Sequence, residues 1–190
     1  VGQLRRLPIA RWRSRFGLEA FVETGTWRGD GLLYAVQQGF RPCFSIEAHP
    51  GLALAAEQRL ARKAPHGLWE IVIGDSAQAL AEIAPRLGVL RTLWWLDAHL
   101  PEDYGAEATR IPLLAELRAI LARPSAGRDV IAIDDLRLFR GGSYGSGAWP
   151  GGKPFTAVYA EAAALLGARH RIRVRLEDEG YLIALPAGTR

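Results

Sequence analysis

Apolar and polar positions along this chain fall into two alternating rhythms. Short runs that are apolar almost throughout occupy 20–24, 42–46, 69–73, 92–96 and 129–133, as in strands buried on both faces of a sheet. Between them, 29–38, 51–63, 76–87 and 108–122 carry the longer spacing of helices. Such regular alternation predicts a parallel sheet flanked by helices and joined by right-handed crossovers. The entry signals agree: His49–Pro50 precedes one helix, and Asp75 or Ser76 can cap another. After residue 154 an alanine-rich helix runs to about 167. Strands at 171–176 and 181–185 follow, and the acidic turn Glu177-Asp178-Glu179-Gly180 makes them an antiparallel hairpin. Ahead of the first strand, 3–16 predicts a helix with Leu4, Leu7 and Trp12 on one side. The stretch 136–153 is irregular and glycine-rich, yet holds Phe139, Tyr144 and Trp149, the composition of a lid over a substrate.

The acids in this pattern stand at the strand ends: Glu23, Glu47, Asp75, Asp97, then Asp134 with Asp135. Open parallel sheets bind ligands there, and an acid after the second strand suits the two hydroxyls of a ribose. Between the first two strands, Gly25, Gly29 and Gly31 allow a sharp turn into a helix. The order is acid first, Glu23-x-Gly25-x-x-x-Gly29-x-Gly31, rather than the G-x-G-x-x-G of dinucleotide folds. A carboxylate at that position repels a pyrophosphate but tolerates an ammonium group. S-adenosylmethionine (SAM) offers adenine, ribose, ammonium and sulfonium without phosphate, so the turn favours SAM over NAD.

Composition narrows the setting. The 190 residues suit one well-cored α/β domain, 1–190, with 1–18 as a helical extension and 136–153 as the lid. The apolar runs are strand-sized, so no membrane span is expected. Val1–Ser14 is arginine-rich without an apolar core, unlike a secretory signal. Cys43 is the only cysteine, which excludes an internal disulfide and a cysteine zinc cluster, and it reads as a buried small hydrophobe. A cytoplasmic protein is expected. The sequence contains no methionine, so the chain as given is read as starting after a removed or disordered N-terminus. The net charge of +4 comes mostly from arginine, clustered at Arg5–Arg15 and Arg169–Arg175. No aromatic-interleaved basic stripe or nucleic-acid motif accompanies it, so these read as solvated faces and the partner as a small molecule. A homodimer is compatible with the sequence.

The segments ETGTWRG, SIEAHP, GDS, LDAH and IDD, in that order over Glu19 to Phe139, resemble the class I SAM-dependent methyltransferases. The likeness is strongest to small O-methyltransferases of the catechol type and related bacterial proteins. It implies a Rossmann-like three-layer sandwich with a mostly parallel seven-stranded sheet whose last strand is antiparallel. It implies Glu23 and Gly25 at the methionine moiety, Glu47 on the ribose hydroxyls, and Asp75 and Ser76 near the adenine. Thr24, Thr26, Gly29, Ala48 and Asp97 complete the implied cofactor set.

In that fold the strands before Asp97 and before Asp134 and Asp135 are neighbours. Three carboxylates then converge beside the methyl donor, and crowded carboxylates call for a compensating cation. Mg²⁺ or another hard divalent ion is the expected occupant, orienting and acidifying an acceptor hydroxyl. Catechol-type enzymes carry a lysine base three residues after the first metal acid; this chain has Leu100 there. His99, beside Asp97, is the substitute base, and the two form the candidate catalytic pair. His49, His66 and His170 read as surface or capping residues, and Trp94–Trp95 as core. The expected activity is O-methylation of a small hydroxylated acceptor such as a sugar, phenol or natural product. An NAD(P)-dependent oxidoreductase and a non-catalytic SAM-fold scaffold are the alternatives.

Overall fold

In the computed structural model, described for residues 3–98, 112–139, 155–178 and 180–188, strands and helices alternate as the pattern requires. Helix α1 (Ile9–Phe16) leads into β1 (Ala20–Thr24), α2 (Asp30–Gln37), β2 (Cys43–Glu47), α3 (Pro50–Lys63), β3 (Trp69–Ile73), α4 (Ser76–Arg86) and β4 (Thr92–Leu96). Then come α5 (Leu113–Leu121), β5 (Val130–Ile133), the short α6 (Leu136–Phe139), α7 (Phe155–Gly167), β6 (His170–Arg175) and β7 (Tyr181–Pro186). The seven strands form one sheet, in the order β3-β2-β1-β4-β5-β7-β6. Strands β1 to β5 run parallel, and β7 lies antiparallel to both β5 and β6. The order reverses between β1 and β4, the switch point at which α/β sheets open a ligand crevice.

Two cores explain why β1, β2, β4 and β5 are buried along their whole length. On one face Leu80 and Ile83 of α4, Leu113, Leu117 and Ile120 of α5, and Leu166 of α7 cover Val22, Ile46, Trp94 and Ile131. On the other, Trp12 and Phe16 of α1 and Leu32 of α2 pack with Phe21, Cys43, Trp95 and Ala132. Alternate strand side chains point to opposite faces, so the adjacent Trp94 and Trp95 enter different cores. Each fully buried large apolar side chain contributes about 1.5–3 kcal/mol.

Local chemistry moves several predicted boundaries. The 3–16 segment is not one helix: a 3-10 turn at Leu4–Arg6 stops before Pro8, and α1 starts after it. Proline lacks an amide proton and disfavours helical geometry in the preceding residue, here Leu7. Leu4, Leu7 and Trp12 are nevertheless all buried, so the apolar side was read correctly. Pro42 has no amide for the ladder, and β2 begins at Cys43 and includes Glu47. The helix signals hold: the His49 side chain accepts the Leu52 amide, and Asp75 Oδ1 accepts the Gln78 amide at 3.0 Å. Of the predicted loop 136–153, Leu136–Phe139 forms a helical turn that buries Leu136 and Phe139. Tyr144 and Trp149 lie outside the described residues. His170 departs from expectation: it is buried, with Nε2 3.0 Å from the Ala126 carbonyl. The first residue of β6 is tucked beneath the 126–128 turn, and burial lowers its pKa.

The foot of the sheet, opposite the strand ends that carry the acids, is tied by a buried ion pair. Arg123 Nη1 meets Asp129 Oδ2 at 2.5 Å, and the same carboxylate accepts Trp94 Nε1 at 2.9 Å and the Thr92 amide at 3.0 Å. Among the described residues no helix is long and apolar enough to cross a membrane.

Candidate active site

The turn from β1 into α2 is shaped by what stands against it. Gly25 has φ +84°, and a Cβ there would lie 2.6 Å from the Asp97 carbonyl oxygen. Only glycine lets the β1 end approach β4 so closely across the switch point. Gly31, in the first turn of α2, faces the Glu23 carboxylate where a Cβ would clash. Glu23 is buried; Ser45 Oγ donates to its Oε1 at 2.7 Å, and Thr26 Oγ is 2.6 Å from Ser45 Oγ. The register explains the meeting, since Glu23 is paired with Ser45 across β1 and β2. Burial drives the Glu23 carboxyl up to about 8, against the Ser45 hydroxyl and the Leu32 amide, which favour its charge. Glu23 thus faces the turn and the start of α2 as a neutral acid at pH 7.

Glu47 fastens the same turn from the second strand. Its Oε2 accepts the Trp27 amide at 2.9 Å and its Oε1 accepts the His49 amide at 3.0 Å. Trp27 holds a left-handed φ of 49°, leaves 55% of its surface exposed and has the Arg28 guanidinium 5.9 Å from its ring centroid. Ala48 is exposed beside Glu47, while Ser76 is buried at the start of α4 behind the Asp75 cap.

Across the switch point, the Asp97 amide donates to the Thr24 carbonyl at 3.1 Å and lies 3.3 Å from Thr24 Oγ. Asp97 keeps some accessible surface, but its carboxyl is enclosed enough that desolvation is the leading cause of a strongly raised pKa. Asp134, Asp135 and Glu23 raise it further, so four carboxyls share one electrostatic neighbourhood. Asp134 is fully buried, and its Oδ1 accepts the Asp135 amide at 2.8 Å. Asp135 adopts φ +53°, tolerated by aspartate, with Arg137 Nη2 3.8 Å from its Oδ1. Among the described residues no three His, Cys, Asp or Glu side chains stand together as a ready metal cage. The three predicted metal acids are therefore neighbours in charge without converging on a single point. His99 lies outside the described residues.

Two residues of this end of the sheet were not singled out from the sequence. Ser45 is one; its signal is a lone hydroxyl in the apolar run CFSIE. Glu116 is the other. It is fully buried on α5, on the stripe formed by Leu113, Leu117 and Ile120, and an acid at a core position of a helix is the signal it left.

Several solved structures with this architecture are methyltransferases, O-methyltransferases among them. A Staphylococcus aureus protein assigned to the caffeoyl-CoA O-methyltransferases superposes with a TM-score of 0.70 at 13% identity, covering 98% of this chain and 85% of that one. The SAH-bound methyltransferase PaMTH1 of Podospora anserina gives 0.68 at 15%, covering 97% and 79%. The O-methyltransferase TomG of Streptomyces achromogenes, involved in tomaymycin synthesis and solved with SAM, gives 0.62 at 17%, covering 99% and 82%. No protein-family model matches the chain. No curated protein matches it in sequence. The fold is accordingly the Rossmann-like sandwich of the small O-methyltransferases, with the seven-stranded sheet and antiparallel β7 that the sequence led us to expect.

Proposed function

We propose that the protein is a SAM-dependent methyltransferase acting on a hydroxyl of a small acceptor, of sugar, phenol or natural-product type. One observation carries this reading: Glu23, Asp97, Asp134 and Asp135 crowd the switch point and oppose one another's ionisation. A cluster of acids held back from ionising is relieved by a ligand with a cationic centre and gains nothing from a pyrophosphate, which separates SAM from NAD(P). The SAM- and SAH-bound neighbours of the same fold support it. In this reading Thr24, Gly25, Thr26 and Gly29 shape the methionine end, with Glu23 holding the turn from beneath. Glu47 and Ala48 face the ribose, and Asp75 and Ser76 the adenine.

Methyl transfer needs an acceptor oxygen in line with the carbon–sulfur bond and a destination for its proton. Bound SAM would supply the methyl group, the carbon–sulfur bond giving its electron pair to sulfur as oxygen takes the methyl, and His99 with Asp97 is the candidate pair to take up the acceptor proton. Asp97, Asp134 and Asp135 have the oxygen donors that a hard divalent cation takes but do not stand together as a cage for one, so no step is assigned to a metal. Calorimetry with SAM and SAH, then transfer of labelled methyl to a panel of sugars and phenols, tests the proposal. Binding of NAD(P) in preference to SAM would make the chain an oxidoreductase. SAM binding without transfer to any acceptor would make it a scaffold.

A further inference from the structure

Glu116 has no place in that mechanism, yet its position is costly. Its neighbours on the buried stripe of α5 are leucine and isoleucine, which would fill the core without a polar atom. Both carboxyl oxygens are sealed from water; they face the Ser76 and Thr24 hydroxyls but complete no hydrogen bond of ordinary geometry among the described residues. Among the described residues no cation answers it either. Arg118, on the same helix, turns outward to Glu161, and Glu82 is exposed on the outer side of α4; Asp75 is the charged group that acts on Glu116, and it raises the pKa. A buried acid without a charged partner among the described residues costs more stability than an apolar residue there would, so its presence asks for a role.

The two hydroxyls it faces locate that role. Ser76 opens α4 at the end of β3, beside the adenine position, and Thr24 ends β1, where its Oγ lies 3.3 Å from the Asp97 amide. One side chain from α5 thus reaches both halves of the crevice from below. We propose that Glu116 is a positioning residue of the cofactor site, setting through Ser76 and Thr24 which hydrogen-bonding group the floor of the adenine pocket presents. The proposal rests on the reading of the site given above. As a neutral acid, Glu116 donates its proton to one hydroxyl and leaves that hydroxyl's own proton free for a ring nitrogen of adenine, an acceptor. As a carboxylate it draws both hydroxyl protons inward and turns only lone pairs to the crevice. Burial holds its pKa at about 7, so both forms are populated near neutrality.

The test is SAH affinity by calorimetry from pH 6 to 8.5 for the wild type, Glu116→Gln, Glu116→Leu and Glu47→Ala, with thermal unfolding of each. In the wild type, affinity should fall by about tenfold per pH unit at most as Glu116 ionises. Glu116→Gln, a permanent donor of nearly the same shape, should keep the low-pH affinity and lose the step near pH 7. Contributions of Glu23 and Asp97 persist in that variant, so only the difference between the two profiles belongs to Glu116. Glu116→Leu should raise the unfolding temperature and weaken SAH about tenfold at every pH. A wild type and Glu116→Gln with superimposable profiles, or a Glu116→Leu that gains stability at unchanged affinity, would overturn the inference alone, provided Glu47→Ala loses binding. A wild type that binds no SAH would overturn the reading of the site itself.

Discussion

Replacing Glu23 with glutamine asks whether the acid at the centre of this site is neutral in the folded protein. Burial holds its carboxyl at about 8 in the native state, against an ordinary 4.5. Between those values the unfolded chain binds fewer protons than the folded one, so stability falls as pH rises from about 4.5 to 8 and levels off above. The slope is at most about 1.4 kcal/mol per pH unit, and on the order of 3 kcal/mol has been lost by pH 7. Glutamine does not ionise, and its amide oxygen can still accept the Ser45 proton, so Glu23→Gln should lack this component. Urea denaturation at pH 5, 6, 7 and 8, followed through the fluorescence of the six tryptophans, measures it. Glu116 and Asp129 add slopes of their own to both proteins, since burial raises them to about 7 and about 6. The difference between the two curves is therefore the quantity of interest. The variant should gain on the wild type steadily with pH. Parallel curves would mean that Glu23 is ionised when folded, and the description of the glycine turn as resting on a neutral acid would be wrong.

Glu47→Ala should weaken SAH binding by about 1.5–3 kcal/mol, the scale of a charge-assisted hydrogen bond, and calorimetry on the folded variant would show it. Arg123→Ala leaves Asp129 buried without its cation and should cost about 3–5 kcal/mol in urea denaturation, and adding Asp129→Leu should recover only part of that, since the Trp94 and Thr92 donors then lose their acceptor. If a divalent ion assists transfer, Asp134→Ala should abolish turnover at nearly unchanged SAH affinity, and full activity after exhaustive chelation would remove the metal from the mechanism.

How far this site could be read from sequence depended on whether a residue's task was local or tertiary. Pro50 and Asp75 announce helix starts through backbone chemistry within three residues, and the structure agrees. The strands were legible because β1, β2, β4 and β5 are buried on both faces and leave unbroken apolar runs. Glu23 stood out as a candidate site residue, but its inward direction did not: that follows from pairing with Ser45 on another strand. The pair Asp129 and Arg123 was not singled out at all, because the groups that bury it, Trp94 and Thr92, lie 35 and 37 residues from Asp129. His170 was misjudged for the same reason, its burial depending on a turn 44 residues earlier. Glu116 was visible in principle, as the polar exception on an apolar helical stripe.

The placement of β7 between β5 and β6 has a consequence for how the chain is made. Strand β6 leaves the ribosome first, yet its sheet partner is β7 alone, which is synthesised after it. Until Tyr181–Pro186 emerges, β5 presents an open edge and β6 an arginine-studded strand with nowhere to dock. Strand β7 then extends the β5 margin and takes up β6 on its other side, so it brings both neighbours into register. A nascent chain stalled before Tyr181 therefore carries two unsatisfied sheet edges, the species most prone to pair with another copy. The arginines of β6 put like charge along that unpaired strand, and like charge opposes pairing between copies while the chain is unfinished.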